Sequence, residues 1–340
     1  MVNPVMVQAT RGRHAESSHR GVAVVVDSLG HIIRSWGNIY DPIFGRSSLK
    51  FIQTLPLIES GAADAFHLTP QEIALASASH FGEEMHIQVL EKWLQKLGRD
   101  ERILDCGIHK PLYTFYRKTN PEFKGKPTVL QNACSGKHLG FLTTALHRNE
   151  PLEGYVNKEH PVQRRVEQVL GEMTSADLAH APHGIDGCGI PAFAIPVYNI
   201  ALAMARFADH SHLHYPRQKA IERILSAVES YPEMIAGTDG FDTRIIQMTK
   251  GKVLCKAGAG GVEVGVIPSL GFGIALKIDD GNGKAAEIAF LSILKSIGII
   301  DEDLYETLEP RVPILSHKGK TVGFLHPTSF TMSLPETGWH

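Results

Sequence analysis

Ser47-Ser48-Leu49-Lys50 forms an S-x-x-K pattern. On the first turn of a helix, positions i and i+3 share a face, so this hydroxyl and this amine can touch. A serine is a poor nucleophile until a base takes its proton. Lysine can be that base only if desolvation or neighbouring cations bring its pKa down from about 10.4. Arg46 is adjacent, and folding could add Lys256. Ser and Lys are common, and the same four residues could simply form a solvated helix face. Two later motifs give the pattern weight by their order: Ser79 in Ala76-Ser-Ala-Ser-His-Phe-Gly82, then Lys256 ahead of Ala257-Gly258. Penicillin-recognising serine enzymes use S-x-x-K, a serine-bearing motif and K-T-G in that order. Here the last motif is K-A-G and the second is not S-D-N, so the match is one of roles.

A second constellation is Asn132-Ala-Cys-Ser-Gly-Lys-His138 together with Asp186-Gly-Cys-Gly-Ile-Pro191. Cys134 and Cys188 sit in glycine-containing turns that can aim two thiolates at one point. Two soft sulfurs with one or two nitrogen ligands suit Zn²⁺. His138 is the conventional nitrogen ligand and Lys137 the unconventional one. Equally, the two cysteines could be small buried fillers; Cys106 and Cys255 read as core. His80 and His86 flank Glu83 and Glu84, which is neither H-E-x-x-H nor its inverse. His80, next to Ser79, either lines the site or is an ordinary polar helix residue. His183, His210, His212 and His214 lie in polar, loop-like stretches.

These groups must be positioned by strands at the two ends of the chain and helices between them. Val22–Val26, a turn over Asp27–Gly30 and His31–Trp36 predict a hairpin. Val253–Lys256, Val262–Ile267 and Gly271–Lys277 predict strands, with a helix over Ala285–Ile297 after the turn at Asp280–Gly283. In the middle, Thr69-Pro70-Gln71-Glu72 carries a capping box with proline at the first helical position. Val162–Leu170, Phe193–Phe207 and Gln218–Glu229 read as further helices. The expected architecture is α/β, with an antiparallel sheet from about 21–60 and 250–300 and a helical middle over about 65–250. It forms a single domain over 1–340. Gly258-Ala-Gly-Gly261 is not G-x-G-x-x-G opening a helix, so a dinucleotide fold lacks support.

The 340 residues carry 34 Lys+Arg and 36 Asp+Glu, a formal net charge of −2, which excludes a basic nucleic-acid-binding chain. A hydrophobic fraction of 43% excludes a disordered or low-complexity chain. No run approaches the ~18–20 apolar residues of a membrane span, and Met1–Arg20 lacks the apolar core of an export signal. With four cysteines in an apparently unexported chain, free thiols or metal ligands are expected over disulfides. A cytoplasmic protein is expected.

Asn132–Leu142, Asp186–Pro191 and Lys256-Ala-Gly-Ala-Gly-Gly-Val262 resemble the signatures of the rhizobial-type bacterial L-asparaginases, the asparaginase II family. Arg46–Lys50 and Ala78-Ser-His80 fit it in order and spacing. The resemblance runs from about Ser35 to Gly283. It implies a serine β-lactamase/glutaminase-like fold and a homodimer. It also implies two Ser–Lys tandems, Ser47 with Lys50 and Ser79 with Lys256. One zinc per subunit would be held by Cys134, Lys137 and Cys188, outside the chemical step. The family more often has a small residue where Phe81 stands, which bears on the shape of the pocket.

The expected reaction is hydrolysis of L-asparagine to L-aspartate and ammonia. Ser47 would be the nucleophile and Lys50 its base, while Ser79 and Lys256 relay protons. Arg46, His80, His138 and Asp186 are the polar candidates around the substrate. The competing readings are a penicillin-recognising hydrolase, a glutaminase and a zinc-binding protein without turnover. Arg46, Lys50, Lys137 and Lys256 are expected to gather around one pocket.

Overall fold

The computed structural model describes residues 2–116 and 122–331. Among the described residues, eleven strands lie along the chain: β1 (Val5–Arg11), β2 (His14–Asp27), β3 (Ile32–Trp36), β4 (Pro42–Phe44), β5 (His183–Ile185), β6 (Pro191–Pro196), β7 (Leu254–Gly258), β8 (Val262–Ile267), β9 (Phe272–Ile278), β10 (Val312–Leu315) and β11 (Thr321–Pro327). Eight of them form one antiparallel sheet in the order β10-β11-β1-β2-β9-β8-β7, with β3 on β2. β4, β6 and β5 make a small second sheet.

The valine run in the second half of β2 explains the centre of the large sheet. Val22–Val26 are buried on both faces, as a strand flanked by partners and covered by helices requires. Ala23 pairs with Trp36 on one side and Leu276 on the other. The helices Val197–Ala208 and Gly283–Ser296 cover the sheet. Strands from both ends of the chain thus share one sheet, with the helices of the middle inserted between them, as expected. The predicted hairpin and the three late strands are present. So is the capping box: the Thr69 N–H donates to Glu72 Oε2 at 2.6 Å, and the Glu72 N–H to Thr69 Oγ1 at 3.4 Å.

Three expectations are corrected. The sheet is wider than 21–60 and 250–300, because β1, the first half of β2, β10 and β11 extend it from Val5 to Pro327. Residues 46–59 are helical: Arg46–Leu49 is a tight 3₁₀ turn leading into the helix Lys50–Glu59. Phe193–Phe207 is not one helix either. Pro191–Pro196 is strand β6, and the helix starts at Val197, where Pro196 leaves the helical region at ψ 142.

In the helical part, a buried arginine fixes the helix that carries Lys50. Arg217, on the helix Tyr215–Ser230, pairs with Glu59 at the end of Lys50–Glu59 and, at 3.0 Å, with Glu172 on Pro161–Thr174. Its side chain is only 5% exposed. Removing one partner of a buried ion pair strands the other charge and costs about 3–5 kcal/mol. Arg217→Ala should therefore lower the urea unfolding midpoint markedly. Arg164→Ala, at an exposed pair with Glu159, should leave it almost unchanged.

Candidate active site

Lys50 is fully buried at the start of its helix, where its amine meets two other segments. Nζ donates to the Ala78 carbonyl, to Ser79 Oγ at 3.1 Å and to the Ala133 carbonyl at 3.3 Å. Burial lowers the amine to about 8, Lys137 and Lys256 push the same way, and Cys134 opposes them. An ammonium has three N–H groups, which match two carbonyls and the serine hydroxyl oxygen; on losing one proton the amine can turn a lone pair to that hydroxyl. The pairing is therefore crossed relative to the expected tandems. Lys50 bonds Ser79, and no bond between Lys50 and Ser47 is seen among the described residues. Lys256, also fully buried, donates to the Ala257 carbonyl at 2.8 Å and to Asp242 Oδ2 at 3.4 Å.

Ser47, Ser79 and Lys256 nonetheless share one cavity of about 420 Å³, walled on its apolar side by Phe81, Leu112 and Phe241. Two glycines permit this. A Cβ on Gly258, the last residue of Lys256-Ala-Gly, would lie 2.5 Å from the Gly45 carbonyl and 3.2 Å from Ser48 Cβ. Only glycine lets β7 close on the turn that carries Ser47. A Cβ on Gly136 would lie 2.3 Å from the Leu75 carbonyl, so glycine is what seats the helix Ser135–His147 against the Ser79 segment.

That seating brings the thiols up behind Lys50. Cys134 is the N-cap of Ser135–His147, and Cys188 lies in a turn closed by the Gly189 N–H on the Asp186 carbonyl at 2.9 Å. Lys137 Nζ is 3.1 Å from Cys188 Sγ. The Cys134 thiol is held well below its ordinary range by its hydrogen bond with Cys188, with Lys50 and Lys137 overcoming burial. The same bond and burial push Cys188 up. Burial alone would lower Lys137, but Cys188, Cys134 and Asp186 raise it.

Arg46 and Asp186 stand at the edge of this group, joined Nε to Oδ1 at 2.5 Å. Arg46 has φ 54, a left-handed conformation uncommon outside glycine and often found where the backbone serves a site. Burial would raise the Asp186 carboxyl, yet Lys137 and Arg46 hold it below the usual range. Of the four cations expected around one pocket, Lys256 lines this cavity; Lys50 bonds Ser79 at its wall, while Lys137 faces the thiols and Arg46 faces Asp186.

The two histidines fare differently from the serines. His80 Nε2 bonds Ser135 Oγ at 2.8 Å and its Nδ1 accepts from the Gly82 N–H at 3.1 Å. Both nitrogens are used, burial holds the ring neutral, and it pins the start of Ser135–His147 without lining the cavity. His138 Nδ1 bonds Tyr155 Oη at 2.7 Å, while the phenol accepts from the Asp105 N–H at 2.8 Å. The phenolic proton then lies toward Nδ1, leaving Nε2 as a buried donor without a partner. In that tautomer His138 Nε2 offers no lone pair, which leaves Cys134, Cys188 and Lys137 as the residues here that could hold a metal ion.

Three acids at the cavity, Asp242, Glu263 and Glu287, stand outside the sequence-based expectations. Asp242 opens the short helix Phe241–Met248, and nothing in Gly240-Phe-Asp-Thr-Arg distinguishes it from an ordinary first-turn acid. Glu263 does carry a signal: it is the one charged residue in Val-Glu-Val-Gly-Val-Ile, a strand buried at every position. Glu287, on Gly283–Ser296, lines the cavity as well.

Residues 7–327 match the family model described as L-asparaginase II. The chain belongs to the L-asparaginase II family. No curated protein matches it. Among solved structures it is similar to unliganded simvastatin synthase from Aspergillus terreus, at 10% identity and a TM-score of 0.39, over 79% of this chain and 91% of that one. Among the described residues, no helix is long and apolar enough to cross a membrane.

The unequal thiols give a direct test of the geometry. In chelator-treated protein near about pH 6.5, one fast-reacting thiol is expected with an aromatic disulfide reagent, and peptide mapping should place it at Cys134. Cys106, pushed up to about 12 by burial, and Cys255, pushed up by burial, should stay unreactive until the protein unfolds.

Proposed function

We propose that this member of the L-asparaginase II family is an L-asparagine amidohydrolase that works through a serine acyl-enzyme. One observation carries the reading: a buried amine, lowered to about 8, is hydrogen-bonded to a serine hydroxyl at the wall of a cavity shared by a second serine. Desolvation is the ordinary way to make a lysine a base near neutrality.

In this mechanism Ser47 Oγ attacks the carboxamide carbon of asparagine. Its proton passes to Ser79 Oγ as the Ser79 proton passes to Lys50 Nζ. The oxyanion is met by the Ser47 N–H and the Lys256 ammonium. Collapse of the tetrahedral intermediate breaks the C–N bond. The nitrogen leaves as ammonia with the proton returned along the same path, and an aspartyl ester remains on Ser47. Water adds to that ester by the same groups in reverse, releasing aspartate.

The donors Cys134, Cys188 and Lys137 fit Zn²⁺: two soft sulfurs and an amine converge, and the Cys134 thiol is held below its ordinary range. Lys137 would have to give up its proton to bind. Bound there, the ion would supply Lewis-acid attraction for a carboxylate or amino group of the substrate. Arg46 and Asp186 stand beside it to orient the same groups, with His138 Nε2–H as a further donor.

We take the enzyme to be a single-domain, cytoplasmic homodimer acting on a small molecule, without nucleic acid or membrane partners. Penicillin-type recognition has less support, because its S-D-N and K-T-G are replaced here by Ala78-Ser-His80 and Lys256-Ala-Gly258.

Ammonia release from asparagine, run beside glutamine and with and without chelator, tests the reading. Ser47→Ala should lose roughly 10³-fold or more in kcat while folding normally; surviving turnover would remove Ser47 as nucleophile. Cys188→Ala should lose metal and keep measurable turnover at saturating asparagine. Complete loss in a folded variant would put zinc in the chemical step. A base must be unprotonated to act, so kcat/KM should fall as the pH drops below about 8, the value to which Lys50 is lowered.

A further inference from the structure

Behind Lys256 lies a buried group that the proposed serine mechanism does not use. Asp242 Oδ2 accepts from Lys256 Nζ at 3.4 Å and from the Ala257 N–H at 3.0 Å, while Oδ1 has no partner. Asp242 is only 1% exposed. Beside it stand Cys255 and Glu263, and the three ligand-type atoms lie within 4.8 Å of one another. A cation could use such a trio, but the Lys256 ammonium already stands against Asp242. Glu263 is equally buried, with Oε1 unpartnered.

We infer that Asp242 is a positioning residue that keeps Lys256 a charged ammonium aimed at the cavity, so that Lys256 acts as an electrostatic and proton-donating group and Lys50 alone is the base. This rests on the proposed serine mechanism. A charged amine with no water around it survives only beside a fixed counter-charge. The bond from the Ala257 N–H holds the carboxylate to the same strand as the lysine, and so fixes the geometry of the pair.

The groups facing Lys256 leave Asp242 as its counter-charge. From β7, Cys255 is a thiol pushed up by burial. From β8, the Glu263 carboxyl is pushed well above its usual range by burial and then by Asp242. From Gly283–Ser296, Glu287 is raised by burial, although Lys284 opposes this. From Lys50–Glu59 comes another amine, Lys50, whose own lowering includes Lys256. Asp242 is thus the carboxylate in contact with Lys256, at 3.4 Å, while Glu287 is paired with Lys284 instead.

Two readouts test this. Lysine carrying ¹³C at Cε reports the charge of each amine by NMR, with the Lys256 signal assigned by its loss in Lys256→Arg. In the wild type that signal should titrate no lower than those of exposed lysines. In Asp242→Asn, which keeps the shape and the acceptor for Ala257, the midpoint should fall by roughly 1–3 pH units. Asp242→Glu should restore it. The alkaline limb of kcat/KM for asparagine should move to lower pH with the Asn variant, since the ammonium is what the reaction needs. A merely structural Asp242 would lower activity evenly and move neither the limb nor the midpoint.

Equal midpoints in the wild type and Asp242→Asn would overturn the inference. So would a wild-type Lys256 that loses its proton below the exposed lysines, a result that stands even if Asp242→Asn does not fold. Absence of asparagine turnover in the wild type would overturn the proposed function, and the NMR titration would still decide the Asp242–Lys256 pair.

Discussion

The site depends on the burial of one amine. Lys50 Nζ is fully buried, so two other segments must supply its partners: the carbonyl and hydroxyl of Ala78 and Ser79, and the carbonyl of Ala133. Unmade hydrogen bonds at a buried amine are costly, and this cost fixes where the other segments can lie. The Ser79 segment is itself tied to the distant short helix Glu233–Ala236 by the Ser79 N–H on the Ile235 carbonyl at 2.9 Å. The Ala133 N–H is held by His109 Nε2 at 3.0 Å. The Lys50 amine is thus placed largely by backbone, which side-chain motion cannot easily disturb.

Around that amine the charges are arranged in small neutral sets. Lys137 faces the thiol pair and Asp186, Arg46 faces Asp186, and Lys256 faces Asp242. Lys50 has Cys134 beside it as well, but burial and the neighbouring cations Lys137 and Lys256 outweigh that thiol. That asymmetry explains why one amine of three is lowered toward neutrality. Environment, not residue type, separates the base from the fixed charges.

Much of this was legible in the sequence because it rests on local patterns. The valine run of β2, the Thr69–Glu72 box and the alternation at 253–277 each report a near-neighbour physical preference. The serines and lysines were found by order along the chain, and the thiols by their glycine-bearing turns. What was hidden depends on tertiary approach. His14–Arg20 is exposed on both faces and so has no apolar alternation, although it pairs with β1. The crossing of Lys50 onto Ser79 follows from the depth at which the helix is seated, which spacing does not encode. Asp242 looks like a helix-opening acid until β7 is laid beside it.

The second half of β2 pairs with β9, joining Gly21 to Ile278 and Asp27 to Phe272. Contacts this distant along the chain close a very large loop, and such topologies form slowly. Lys256 lies on β7, which reaches β2 only through β8 and β9. A chain emerging from the ribosome therefore carries Ser47, Lys50 and Ser79 long before it has the strand that completes the cavity. Hydrolytic competence must arrive abruptly, with the last part of the sheet, and a truncated or half-folded product would be chemically silent.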